Sequence, residues 1–153
     1  VITRPSDSAS EDHDTLADAA FAEAEADGAF AICWDAYGLR YGLPADVDWA
    51  IANGHVAVAN VSRAVIPALR ERYANLAVVE ITAAPEILAQ RLAARGRESR
   101  GEVLVRLARS TSVTLSGPDV TSIDNSGARE IAGERFADVL RKAMAFSDLS
   151  DMI

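Results

Sequence analysis

Cysteine, histidine and lysine are all scarce in this sequence: Cys33 stands alone, His13 and His55 are the only histidines, and Lys142 is the single lysine beside fourteen arginines. A lone cysteine excludes an internal disulfide. Cys33 lies in the apolar run Phe30 to Trp34, where a free thiol serves packing more often than chemistry, so no reaction is assigned to it. Two histidines in separate contexts, with no cysteine partner, offer no zinc-ligand spacing, and no metal site is expected from them. Ser62 lacks the Gly-x-Ser-x-Gly surroundings of a hydrolase nucleophile. No stretch approaches the roughly 18 apolar residues of a membrane span, and no secretory apolar segment is present. Neither a membrane nor export is therefore expected, and a reducing, cytoplasmic setting is the simplest one. Positive charge is also in deficit. A net charge of −8 and a pI near 4.7 argue against a broad face for nucleic acid or anionic lipid, so any phosphate site has to be a local exception.

What is present is a chain of 153 residues, half of them apolar, long enough to bury one sizeable core and roughly 70% of its unfolded surface. One compact domain over residues 1–153 is expected. The chain opens on Val1-Ile2-Thr3-Arg4-Pro5 without a methionine, which reads as a chain entered partway along, with something upstream missing. Residues 6–14 are polar and acidic and suit a solvated loop. Alanine-rich residues 14–27 predict a helix closed by Gly28. Two short strands follow, Ala29 to Trp34 and a second after the turn at Tyr37-Gly38, and then a helix over residues 44–53 that Gly54 ends. The continuous apolar runs Val56-Ala57-Val58-Ala59 and Leu76-Ala77-Val78-Val79 read as strands buried on both faces, with a helix over 63–73 between them. That is a parallel βαβ unit. Helices over 85–96 and about 101–112, a strand over 120–123 and an amphipathic helix over 130–146 complete the pattern. Strands at about 56–61, 77–82 and 120–123 should then lie parallel in one sheet of a three-layer α/β/α domain.

Six of the fourteen arginines fall between positions 91 and 109. Arg91 and Arg95 share a helix face, Arg97 and Arg100 lie in the connection, and Arg106 and Arg109 open onto the next predicted helix. A hinged helix pair could close several guanidinium forks over phosphate, for which arginine is suited by its bidentate geometry and permanent charge. The same arginines could equally form a solvated face paired with Glu86, Glu98 and Glu102. A P-loop needs Gly, four residues, then Gly-Lys-Ser/Thr. Gly96 and Gly101 have the glycine spacing but are followed by Glu102-Val103 and preceded by a helix, so the pattern is incomplete in these residues.

The segments Thr3-Arg4-Pro5, Gly38-Leu39-Arg40-Tyr41-Gly42, Asn60-Val61-Ser62-Arg63 and Glu86 to Arg97, taken in order and spacing, resemble the guanylate kinase-like family of P-loop kinases. The resemblance spans nearly the whole chain, and within that family it is strongest to the ribose 1,5-bisphosphate phosphokinases of phosphonate catabolism. It implies a P-loop kinase-like parallel sheet, an acceptor-binding arm over about 3–43 and an arginine lid over about 96–105. It also implies ATP with Mg²⁺ as phosphoryl donor and a small sugar phosphate as acceptor, with a P-loop unit upstream of these residues. A homodimer is left open.

Carried over by position, Arg4 matches an acceptor-phosphate arginine, His13 a phosphate-binding tyrosine and Tyr41 the tyrosine of a Gly-x-Tyr-Tyr-Gly turn. Asn60, Ser62 and Arg63 belong to the same acceptor side. Arg95 and Arg106 fall on two lid arginines that contact the transferring phosphate, Arg91 is similar to one near ATP, and Asp124-Asn125 resembles the adenine loop. Each has a plainer alternative: Arg4 paired with Asp7, His13 exposed, Tyr41 in the core, Asp124-Asn125 making a turn. The departures concern the base. The guanine-reading glutamate of guanylate kinases aligns with Ile32, a second phosphate arginine with Asp7, and two acidic strand residues with Asn60 and Ser62, which points away from guanine and toward a sugar phosphate. The expected product is 5-phosphoribosyl 1-diphosphate. A nucleoside monophosphate kinase and a non-catalytic, protein-binding kinase-like module remain as alternatives.

Overall fold

The computed structural model describes residues 1–3, 13–95 and 115–150, with the backbone alone for 92–95 and 146–150. The predicted helix over 101–112, the 96–105 lid and the acidic loop lie outside the described residues, apart from the last two positions of that loop. Two compact units are formed, Val1–Arg72 with Met144–Ile153, and Tyr73–Ala143.

In the first unit, helix α1 (Asp18–Ala26) leads through Gly28 into strand β1 (Phe30–Ala36), which pairs antiparallel with β2 (Leu39–Pro44). The hairpin turns on Tyr37 at φ 55° and Gly38 at φ 73°. Positive φ at both central residues is the primed turn that matches the right-handed twist of paired strands. Helix α1 starts four residues later than the composition predicts, because the preceding backbone is engaged elsewhere: the Ile2 amide donates to the Asp14 carbonyl (2.9 Å) and Leu16 to the Ile2 carbonyl (3.3 Å). Residues 1–3 also line the free edge of β2, with Gly42 donating to the Val1 carbonyl (2.9 Å), the Val1 nitrogen to Gly42 (2.9 Å) and Thr3 to Arg40 (3.0 Å). Helix α2 (Asp46–Ala52) ends at Asn53 and Gly54, the latter at φ 78° as its position predicts. A 3-10 turn (Arg63–Val65) runs into helix α3 (Ile66–Arg72), and Arg72 is paired with Asp48 of α2. Among the described residues of this unit, Phe21, Val65, Ile66 and Leu69 are the buried apolar side chains.

The second unit holds strand β3 (Val78–Thr82), helix α4 (Pro85–Arg95) and strand β4 (Val120–Asp124), and helix α5 (Arg129–Ser150) follows. Strands β3 and β4 are parallel, in register from Val78 opposite Val120 to Thr82 opposite Asp124. Pro85 occupies the first turn of α4, where its missing amide hydrogen is not needed. Val78, Ile123 and Ala132 are buried. The chain is thus α/β, with a parallel pair typical of the P-loop kinase-like class and an antiparallel hairpin.

The expected strand over 56–61 is corrected. No strand is assigned there, and Val56 and Val58 are 38% and 62% exposed. An apolar run becomes a strand only when its backbone amides and carbonyls find lateral partners, and no ladder among the described residues includes these positions. The predicted βαβ unit is accordingly not closed; the parallel pairing observed is between the strands at 78–82 and 120–124. Burial of the 76–79 run on both faces is also only partial: Val78 is buried, whereas Ala77 is exposed.

Candidate functional site

The expected acceptor arm is organised around the hairpin. Cross-strand pairing sets Trp34 against Tyr41, and their rings stack at 5.3 Å with 9° between planes. Tyr41 is also bridged to Ile2 on the other edge of β2. Thr3 sits beside Arg40, whose amide donates to the Thr3 hydroxyl (2.9 Å). The Arg40 guanidinium lies 4.5 Å over the Phe21 ring and pairs with Glu25 of α1. Phe21 in turn stacks on Phe30 at 4.7 Å. One face of the hairpin is therefore fastened to α1 by rings and charge. Tyr41, Thr3 and Arg40 form one connected group, so Tyr41 is half-buried in an aromatic stack and not deep in the core.

Arg4 lies outside the described residues. His13 is half-buried at the start of the segment that pairs with Ile2. Asn60 is exposed, Arg63 opens the 3-10 turn, and the Ser62 hydroxyl accepts from the Ala64 amide (3.4 Å), a capping role. Burial, and then the Glu25 carboxylate, push the Cys33 thiol up to about 11, which keeps it protonated at neutral pH.

In the second unit, Asp124 and Asn125 stand at the carboxyl ends of the parallel strands, the end at which open α/β sheets bind ligands. The Asn125 amide donates to the Thr82 carbonyl (2.7 Å), carrying the β3–β4 pairing one residue further. Ser126 donates from its hydroxyl (2.5 Å) and from its backbone (2.9 Å) to the same Asp124 oxygen. Those two bonds, the hydroxyl's foremost, hold the Asp124 carboxyl below its usual range. The side-chain oxygen of Asn125 is enclosed and has no hydrogen-bond partner among the described residues. Arg91 is half-buried on α4. The side chain of Arg95 and all of Arg106 lie outside the description, so the structure does not place the two predicted lid arginines. Among the described residues no group of three or more His, Cys, Asp or Glu could hold a metal ion, and no helix is long and apolar enough to cross a membrane.

No protein-family model matches the chain. Individual relatives do. Ribose 1,5-bisphosphate phosphokinase of a Chelativorans species is 54% identical over all 153 residues, which cover 73% of that protein. The enzyme of the same name from Agrobacterium fabrum is 44% identical over 96% of this chain and 80% of its own length. The Brucella melitensis protein is 52% identical over 83% of this chain and 66% of its own. The chain belongs to the ribose 1,5-bisphosphate phosphokinase family. The geometry joins further residues to the expected ones. Trp34 stacked on Tyr41, Thr3 and Arg40 bonded to each other at β2, and Thr82 and Ser126 bonded to Asn125 and Asp124 were not among the site residues expected from the sequence. Only the Asp-Asn-Ser-Gly run at 124–127, a turn signature, could have drawn attention to Ser126.

Proposed function

We propose that the protein transfers the γ-phosphoryl group of ATP to ribose 1,5-bisphosphate, giving 5-phosphoribosyl 1-diphosphate and ADP. Family membership across nearly the whole chain carries this reading. An oxygen of the acceptor's 1-phosphate attacks the γ-phosphorus in line, and the bond from the γ-phosphorus to the β,γ-bridging oxygen breaks. Phosphate oxygens are already ionised and need no strong general base, so positioning and charge neutralisation do most of the work. ATP supplies the phosphoryl group, and Mg²⁺ offsets charge on its phosphates.

The residues of this chain divide that work. Tyr41 on its aromatic stack, with His13 and with Arg4, the residue that follows Thr3, would hold the acceptor, and Asn60, Ser62 and Arg63 would complete that side. Asp124 and Asn125 fit the base of ATP: an asparagine amide offers an acceptor beside a donor, the pattern that pairs with the amino group and a ring nitrogen of adenine, and the enclosed Asn125 oxygen is an acceptor with unmet capacity. Arg91 would lie toward the nucleotide, and Arg95 and Arg106 would neutralise the transferring group. The protein's partner in this reading is a small sugar phosphate; neither nucleic acid nor membrane enters it, the setting is cytoplasmic, and a homodimer is compatible with it.

The test uses the full-length protein with ATP and Mg²⁺, following phosphoribosyl diphosphate formation through a coupled phosphoribosyltransferase and comparing GMP as acceptor. Ribose 1,5-bisphosphate should be strongly preferred, because Ile32 cannot accept hydrogen bonds from guanine and a missing acceptor is penalised heavily in a site of this kind. A preference for GMP would overturn the acceptor assignment in favour of a guanylate-type kinase.

A further inference from the structure

Two loops leave the carboxyl ends of the parallel pair. One runs from Thr82 of β3 into α4, and the other from Asp124 of β4 through Asn125 and Ser126 into α5. Ser126 joins them. Its hydroxyl accepts the Ala84 amide proton (2.7 Å) from across 42 residues of sequence and donates its own proton to Asp124 (2.5 Å). The direction of both bonds is fixed by chemistry: an ionised carboxylate can only accept and a backbone amide can only donate, so the hydroxyl is used once each way. Ala84 in turn accepts the first amide bond of α4, from Leu88 (3.0 Å). The serine therefore ties the β4 exit to the start of α4, and its own amide closes an Asx turn on the same Asp124 oxygen (2.9 Å).

Asn125 lies between these fixed points. Its backbone is held by Thr82 on one side and its neighbour Ser126 is pinned to α4 on the other, while its side-chain oxygen is enclosed without a partner among the described residues. An acceptor in that state gains only from a donor that arrives at one place, so the value of the group depends on how firmly the loop is held.

We propose that Ser126 is a positioning residue for nucleotide binding: its hydroxyl clamps the loop after β4 to the start of α4 and thereby aims Asn125 at a 6-aminopurine base. Ser126 makes no contact with the nucleotide. The proposal rests on the reading of Asp124-Asn125 as the side that meets the base of ATP.

The experiment compares full-length wild type with Ser126→Ala and Ser126→Thr. Without nucleotide, the Asp124 carboxyl is titrated by NMR. Ser126→Ala should move it up toward the ordinary aspartate range, and Ser126→Thr should keep it low. Calorimetry of ATP binding in the absence of acceptor should show affinity about 3- to 10-fold weaker in Ser126→Ala, the scale of one hydrogen bond, with recovery in Ser126→Thr. In steady state the KM for ATP should rise with a smaller ATP-over-GTP preference, while the KM for ribose 1,5-bisphosphate stays unchanged. Unaltered Asp124 titration in Ser126→Ala would show that the clamp does not exist. A shifted Asp124 with unaltered ATP affinity would show that the clamp does not serve the nucleotide, and parallel loss of both substrates with a lower Tm would reduce it to a structural tie. Should wild type phosphorylate the sugar yet show no ATP-over-GTP preference, the clamp proposal fails while the acceptor reading stands; absence of ATP binding by wild type would fell both.

Discussion

Replacing Gly42 by Ala tests how the hairpin is held on α1. A methyl carbon at this position would stand 2.6, 2.7 and 2.8 Å from Cδ1, Cε1 and Cγ of the Phe30 ring. Carbon atoms rest at about 3.5–4.0 Å, so the ring would have to withdraw by about 0.9 Å. It has little room, because the Phe21 ring stacks on it at 4.7 Å and is fully buried, with the Arg40 guanidinium 4.5 Å from the Phe21 ring. The effect is steric and not conformational, since Gly42 is not among the positive-φ glycines. Overpacking of this kind costs about 1–3 kcal/mol, which for a chain of this size corresponds to a fall in Tm of about 2–12 °C. Urea and thermal unfolding of Gly42→Ala measure it, and a second change tests the cause. Phe30→Leu in the Gly42→Ala background should cost less than the sum of the two single changes, because the smaller side chain vacates the space. Gly42→Ala as stable as the parent, or strict additivity in the cycle, would refute the account.

Tyr37 holds a left-handed conformation and is 70% exposed; Tyr37→Asn should raise stability by about 0.5–1 kcal/mol in urea unfolding, since asparagine tolerates that region better. Cys33 should alkylate slowly: its thiol titrates at about 11 where an unperturbed one has 9.0, so at pH 8 the native chain carries about a hundredfold less thiolate than the unfolded chain. Because the folded value is the higher, reactivity of the native protein should keep rising with pH up to about 11, and iodoacetamide labelling across that range checks it. Arg95→Ala and Arg106→Ala in the full-length protein should each lower kcat by orders of magnitude with little change in Tm, by analogy with the ~10³–10⁵ attributed to a transition-state arginine. Unchanged kcat in both would return these arginines to a solvated surface.

Local punctuation was the most readable part of the fold. Gly28, Gly38 and Gly54 close or turn their elements with φ of 74°, 73° and 78°, each where a residue without a Cβ is favoured. The strands at 78–82 and 120–124, and the helix starting at Pro85, follow from apolar runs and helix-start chemistry. The failures came where a partner decides the outcome. Val56 to Ala59 has the composition of a strand, but strand formation depends on a neighbouring backbone that composition does not name. Residues 14–16 have helical composition yet are drawn into pairing by Ile2, from a part of the chain 13 residues away. Among the candidate residues, Asp124 and Asn125 were singled out by resemblance, whereas Ser126, bonded to Asp124 and Ala84, was not. A hydroxyl that matters by joining positions 84 and 124 carries no mark in its own neighbourhood beyond a turn. Trp34 was likewise invisible until the hairpin register set it against Tyr41.

Because residues 1–3 line one side of β2 while β1 lines the other, the backbone polar groups of that strand are spoken for on both edges. Arg40 and Gly42 direct theirs to Thr3 and Val1, and Tyr41 lies opposite Trp34. A strand from another molecule therefore cannot extend the hairpin through β2 without first displacing Val1 to Thr3. Any association that involves this side of the hairpin has to be built from side chains, and a substrate or partner arriving there meets the Thr3 hydroxyl and the Tyr41 ring in place of an open ladder.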